Sequence, residues 1–181
     1  MRCLRTALAC GLSLWSFHAF SHVVLAEPAA LAGTSYRATL RVGHGCEGAA
    51  FTTALKVLIP PGLRGAKPMP KPGWVLSIKT AKLDKPGDDH GTPVTEDVSE
   101  ITWTAASRDN WLPDAYYDEF VLRGGLPAEA GPMWFKVVQT CDKGSANWAE
   151  VPASGSSAKG LKAPAALLEI IESSPTGAHQ H

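Results

Sequence analysis

His22, in the stretch FSHVVLAEPA, is the residue whose position matters most to any chemistry this chain could perform. If the bond after Ser21 is cut, His22 opens the chain and offers two nitrogen ligands from one residue. Its α-amine and its ring Nδ1 then close a small chelate on a metal ion. An α-amine has a reference pKa near 8, so a strongly bound cation displaces its proton at neutral pH at little cost. Nitrogen ligands in a tetragonal arrangement favour Cu(II), which stands at the top of the affinity order for divalent ions. Carboxylate or water fills the remaining positions, and Glu27 is close enough in sequence to fold back; its other reading is a solvated charge at a strand start. If the bond is not cut, His22 is an ordinary histidine in a leader or N-terminal arm.

The remaining candidates are weaker. His44 precedes Gly45-Cys46 in a turn and His90 lies in an Asp/Gly loop, where a surface histidine is the plain reading. His179 and His181 in the tail bind metal only as any unstructured pair does. Trp148, in NWAEVPA, follows a Gly/Ser/Asn turn near Cys141, where a strand end could face the N-terminus. There an indole could stack on a metal chelate or exclude water; from spacing alone, packing is the better reading. No Gly-x-Ser-x-Gly, His-Glu-x-x-His or phosphate loop is present. Asp118 and Glu119 fall on opposite faces of a strand and form no catalytic carboxylate pair, so the reading is that of a non-enzyme.

The start of the chain decides whether His22 is exposed. Arg2 and Arg5 supply a positive n-region, and residues 7–17 an apolar stretch too short to span a bilayer. Ala19 and Ser21 are small residues at the −3 and −1 positions, which predicts a signal peptide over 1–21. Val24-Leu25-Ala26 is a rival cleavage site that would start the protein at Glu27. A lipoprotein site at Cys10 has too short an apolar run before it, and a retained anchor would be short. Cleavage after Ser21 takes 21 of the 181 residues and leaves 160, enough for one core. Losing Arg2 and Arg5 takes Lys+Arg from 17 to 15 against 17 Asp+Glu, a net charge near −2 and no nucleic-acid footprint. Cys3 and Cys10 leave with the leader. Cys46 and Cys141 remain, and in an oxidising compartment they read as one disulfide, two free buried thiols being the alternative.

The elements that must position these residues read as β throughout. YRATLRV places Tyr36, Ala38, Leu40 and Val42 on one face. FTTALKVLI follows with Phe51, Leu55, Val57 and Ile59, then WVLSIK with Trp74, Leu76 and Ile78. EITWT turns Ile101 and Trp103 inward, YYDEFVLR sets Tyr116, Phe120 and Leu122 on one side, and MWFKVVQT aligns Met133, Phe135 and Val137; NWAEV is a short last strand. Residues 84–93, dense in Pro, Gly and Asp, predict a turn or loop. Six or seven short strands without a long amphipathic helix predict a single-domain β-sandwich, with a Cys46–Cys141 bridge tying early and late strands at one end. The domain is expected to end at 153. Residues 154–181 are expected to form a flexible tail, in which APAALLEIIE could dock as a strand or short helix.

In this order, RATLRVGHGCEG, KPMPKPGW, YYDEF and NWAEVPA, behind an N-terminal histidine, resemble the YcnI-like family of exported copper-binding proteins, the DUF1775 domain. The resemblance spans residues 22–152. It implies an immunoglobulin-like sandwich and a Cu(II) site, a monohistidine brace, in which the first residue of the processed protein gives amine and ring nitrogen. An acidic residue and a tryptophan lie near the metal. Residue by residue, these map to His22, Glu27 and Trp148, and by analogy the cut falls after Ser21. The chain departs from the family pattern at Ala26, which intervenes before Glu27. One extra residue in an extended strand turns Glu27 to the opposite face unless a bulge restores it.

The expectation is therefore a periplasmic or secreted protein that binds copper (Cu2+) in acquisition, buffering or delivery. It would work with a copper-transport partner in periplasm or membrane, with no nucleic acid and no membrane span after processing. An oxidative copper enzyme recruiting His44 or His90 and a metal-free β-sandwich interaction module are the alternatives. Intact-mass measurement of the exported protein is expected to give a chain beginning at His22; one beginning at Glu27 would remove the chelate.

Overall fold

β3 (Ser35–Val42) shows how directly side-chain alternation becomes structure: Tyr36, Ala38, Leu40 and Val42 are buried, while Arg37 and Arg41 face outward. The computed structural model describes residues 22–46, 48, 50–89 and 92–173. β3 belongs to a four-stranded sheet ordered β1-β3-β8-β5, with β1 (Val24–Leu25), β8 (Asp118–Gly125) and β5 (Arg64–Pro68). The second sheet runs β2 (Ala29–Leu31), β11 (Ala166–Ile171), β9 (Gly131–Cys141), β4 (Thr52–Leu58), β7 (Thr92–Ala105) and β6 (Trp74–Asp89); β10 (Ser145–Trp148) pairs with the later half of β9. The β2–β11 pair is parallel, and the other pairs are antiparallel.

Ring contacts join the two sheets. Phe120 of the first sheet meets Trp103 and Trp74 of the second at 5.7 and 5.0 Å, and Tyr36 meets Phe135 at 6.5 Å. Leu40, Leu55, Val57, Ile101, Val137 and Leu168 fill the space between them with no exposure. Each such side chain contributes about 1.5–3 kcal/mol of burial free energy. The disulfide joins Cys46, just beyond β3, to Cys141 at the end of β9, with Cα atoms 6.0 Å apart. It ties one sheet to the other at one end. With the cysteines 95 positions apart in sequence, the chain-entropy account gives about 4–5 kcal/mol.

Three expectations are corrected. Residues 84–93 are not simply a loop: β6 runs to Asp89 and β7 starts at Thr92, with Gly87↔Val94 and Asp88↔Pro93 paired beyond a register shift after Lys82. β4 pairs with β7 only over residues 100–104, so the arm formed by 80–89 and 92–98 has just two strands. A proline such as Pro93 is tolerated there because no third strand needs its missing donor. Tyr116 and Tyr117 precede β8 and are 65% and 68% exposed, so the tyrosine side of YYDEF does not enter the sheet. The domain does not end at 153: the run at 163–172 docks as β11, pairing with β9 and β2 and burying Leu168 and Ile170. Residues 1–21, expected to form a signal peptide, and residues 174–181, at the end of the expected tail, lie outside the described residues.

Removing β11 would strip β2 and the Phe135 stretch of β9 of the strand between them. A chain truncated after Ala153 is expected to lose its cooperative thermal transition by circular dichroism. An unchanged midpoint would show that β11 is dispensable.

Candidate functional site

β1 pairs with β3 through Val24↔Arg41 and Leu25↔Leu40. Continued by two residues, this register sets His22 opposite Gly43, where the chain leaves β3 toward Cys46. Val23 and Leu25 are buried at 2% and 6% exposure and Val24 faces out at 47%, so the strand alternates up to the histidine. The His22 ring is half-buried and meets Trp148 edge-on, with centroids 5.5 Å apart and planes at 65°. Trp148 arrives through the β9–β10 hairpin. Cys141 N–H donates to the carbonyl of Gly144, whose φ of 87° a side chain would resist, and Trp148 then pairs with the inward-facing Val137. The fold thus brings together His22 and Trp148, two of the three expected metal-site residues.

Trp148 is held by a buried amide. Its indole Nε1–H donates to Oε1 of Gln139 at 3.1 Å, and Gln139 is only 4% exposed. An indole nitrogen can only donate, so it fixes which end of the amide is the carbonyl. The Gln139 Nε2 is then free to donate to Thr52 Oγ1 at 2.7 Å and to the carbonyl of His44 at 3.4 Å. The fully buried Thr52 hydroxyl lies 3.6 Å from Cys46 Sγ, which accepts because a disulfide sulfur carries no hydrogen. Sequence reasoning missed Gln139 and Thr52. The signal was there: Gln139 occupies the inward register of MWFKVVQT, two residues past Val137, where an apolar side chain is the rule.

The turn at 43–46 packs tightly against 112–114. A Cβ on the buried Gly45 would stand 2.7 Å from the Asp114 nitrogen, the Leu112 oxygen and the Pro113 carbonyl carbon. His44 Nδ1 lies 3.0 Å from Asp114 Oδ1 and 2.6 Å from the Gly45 carbonyl. Both partners are acceptors, so Nδ1 is the protonated nitrogen and is already engaged. Grooves flank the His22–Trp148 pair. One, about 360 Å³, is lined by Trp148, Gln139, His44, Cys46, Lys143 and Lys162. The other, about 400 Å³, is lined by His22, Val24, Pro28, Trp134, Leu161 and Pro164. Residues 149–165 form a wall there by returning on themselves, with Ala149 and Glu150 N–H donating to the Ala163 carbonyl.

The third expected residue lies elsewhere. Glu27 is exposed in the bend between β1 and β2, where the chain passes from one sheet to the other. Its backbone carbonyl accepts the Tyr36 hydroxyl at 2.6 Å. Burial, and secondarily the Glu27 carboxylate, push the Tyr36 phenol well above its ordinary pKa. From His22 to Ala26 the chain is extended, about 13 Å, so Glu27 is set at the far end of the strand from the histidine. His90 lies outside the described residues. Its neighbours Asp89 and Thr92 end the two-stranded arm, about 40 Å of strand from Thr104, which pairs with β4 near the disulfide. Asp118 bonds Lys71 at 2.7 Å and Glu119 bonds Arg41 at 2.9 Å. Among the described residues, no three His, Cys, Asp or Glu side chains form a metal-holding group, and no helix is long and apolar enough to cross a membrane.

Two packed, mainly antiparallel sheets bridged by a disulfide define an immunoglobulin-like β-sandwich. The fold is similar to the crystal structure of an uncharacterized protein from Nocardia farcinica described as immunoglobulin-like. That likeness has a TM-score of 0.62 and 28% identity, covering 82% of this chain and 97% of that one. The seventh ScaB type I cohesin from Pseudobacteroides cellulosolvens is a far more distant likeness, at 8% identity and a TM-score of 0.39, covering 88% and 97% of the two chains. No curated protein matches the chain. The family model for DUF1775, a domain of unknown function, matches residues 22–170, and the chain belongs to that family.

Gly45→Ala is expected to lower stability by about 1–3 kcal/mol, read as a melting midpoint several degrees lower. An unchanged midpoint would mean that the 43–46 turn does not need its close approach to residues 112–114.

Proposed function

We propose that this is an exported copper-binding protein that takes Cu(II) on the α-amine and ring Nδ1 of His22 after cleavage behind Ser21. Its role is then copper acquisition, buffering or delivery to a transport partner in the periplasm or membrane. The observation that carries the reading is the His22–Trp148 pair: a half-buried imidazole at the start of the folded domain, edge-on to an indole 5.5 Å away. The family match beginning at His22 is in keeping with it. A brace draws two donors from one residue, so it needs no cluster of side chains, only an oxygen donor from carboxylate or water. The indole would cover one side of the ion and limit water there.

His44 turns Nδ1 to Asp114 and the Gly45 carbonyl, so a second imidazole ligand there could use only its Nε2. The placement of Glu27 beside Tyr36 gives no support to a Glu27 ligand.

The test is competitive Cu(II) titration of the processed protein. His22→Ala is expected to weaken binding by about 100-fold, roughly 2.7 kcal/mol. Glu27→Gln is expected to leave the affinity within about twofold, under 0.5 kcal/mol. Unchanged affinity in His22→Ala would refute the proposal.

A further inference from the structure

We infer that Gln139 is the positioning residue of this site. Its buried amide sets the orientation of Trp148 toward His22 and couples that indole, through Thr52 and the His44 carbonyl, to the disulfide-anchored turn. What Gln139 does for copper rests on the proposed function; what it does to Trp148 does not.

The amide is fully used. Oε1 accepts the one proton Trp148 can give, and Nε2 serves Thr52 Oγ1 and the His44 carbonyl. Gln139 sits on β9, Trp148 on β10, Thr52 on β4, and His44 in the turn following β3. One side chain therefore gathers four segments drawn from both sheets. Packing alone does not demand a glutamine: Met133, Phe135 and Val137 hold the same face of β9 with apolar groups. A buried amide is tolerated because every partner is present, and an apolar replacement would leave the indole N–H without an acceptor. The indole would then turn its N–H toward the open groove beside it. That rotation changes the ring edge offered to His22.

The first readout needs no metal. In the 1H–15N spectrum the Trp148 indole crosspeak is identified by its loss in Trp148→Phe. In Gln139→Leu this crosspeak is expected to shift and its solvent exchange to speed up by roughly tenfold, the factor one net hydrogen bond is worth. Thr52→Val, nearly isosteric, guards against a misfolded Gln139→Leu: it frees one side of the amide and is expected to give a smaller shift in the same direction. An unmoved crosspeak in both variants overturns the inference.

The second readout is Cu(II) binding. With His22 intact, Gln139→Leu is expected to weaken the affinity on the order of tenfold, as loss of a supporting partner typically does, and to alter the Cu(II) electron paramagnetic resonance spectrum. A shifted crosspeak with unchanged affinity and spectrum overturns the role at the metal. If His22→Ala binds as tightly as the wild type, the copper reading fails, while a shifted crosspeak still upholds Gln139 as the residue that holds Trp148.

Discussion

The Cys46–Cys141 bond holds the two sheets together at the end where β3 leaves one and β9 finishes in the other. Everything proposed for the site depends on that fixed spacing. Trp148 reaches it on the hairpin strand that begins four residues beyond Cys141, and His22 reaches it by pairing along the strand that ends four residues before Cys46. Neither element is long enough to hold a position alone: β1 has two residues and β10 four. The covalent tie and the close packing of Gly45 make a defined place out of short strands.

Within that frame the polar interior is economical. Glutamine and threonine sit where the core would otherwise close with apolar groups, and their hydrogen bonds run from the indole to the sulfur of Cys46. Such a network is favourable only while complete, because each partner lost leaves another buried group unsatisfied. The histidine ring is half-buried edge-on to that indole and lines one of the two grooves.

Much of this was legible in the sequence, and the exceptions have physical causes. Strands with one face buried, such as β3 and β9, declare themselves by period-two alternation, and the disulfide followed from counting cysteines. β1 and β2 are too short to show a period, and the sheet switch between them turns on Ala26 and Glu27, so the direction of Glu27 could not be read from spacing. β11 was obscured by the Gly/Ser-rich stretch before it, although that stretch is only a detour leading back to the sandwich. The arm at 80–98 was obscured by prolines that a two-stranded ribbon tolerates. The nearness of His22 and Trp148 came from a family resemblance. Gln139 lay in plain view as a polar residue on an apolar face, but its partners are 87 and 95 residues away, at Thr52 and His44, and no local pattern joins them.

The central claim is that one residue grips the metal with both its amine and its ring. The most direct measurement compares Cu(II) electron paramagnetic resonance spectra of two proteins, one beginning at His22 and one carrying a single extra glycine before it. The account predicts that the extra residue, by turning the histidine amine into an amide, abolishes the nitrogen-rich signal and the tight binding together. Identical spectra and affinities would contradict it.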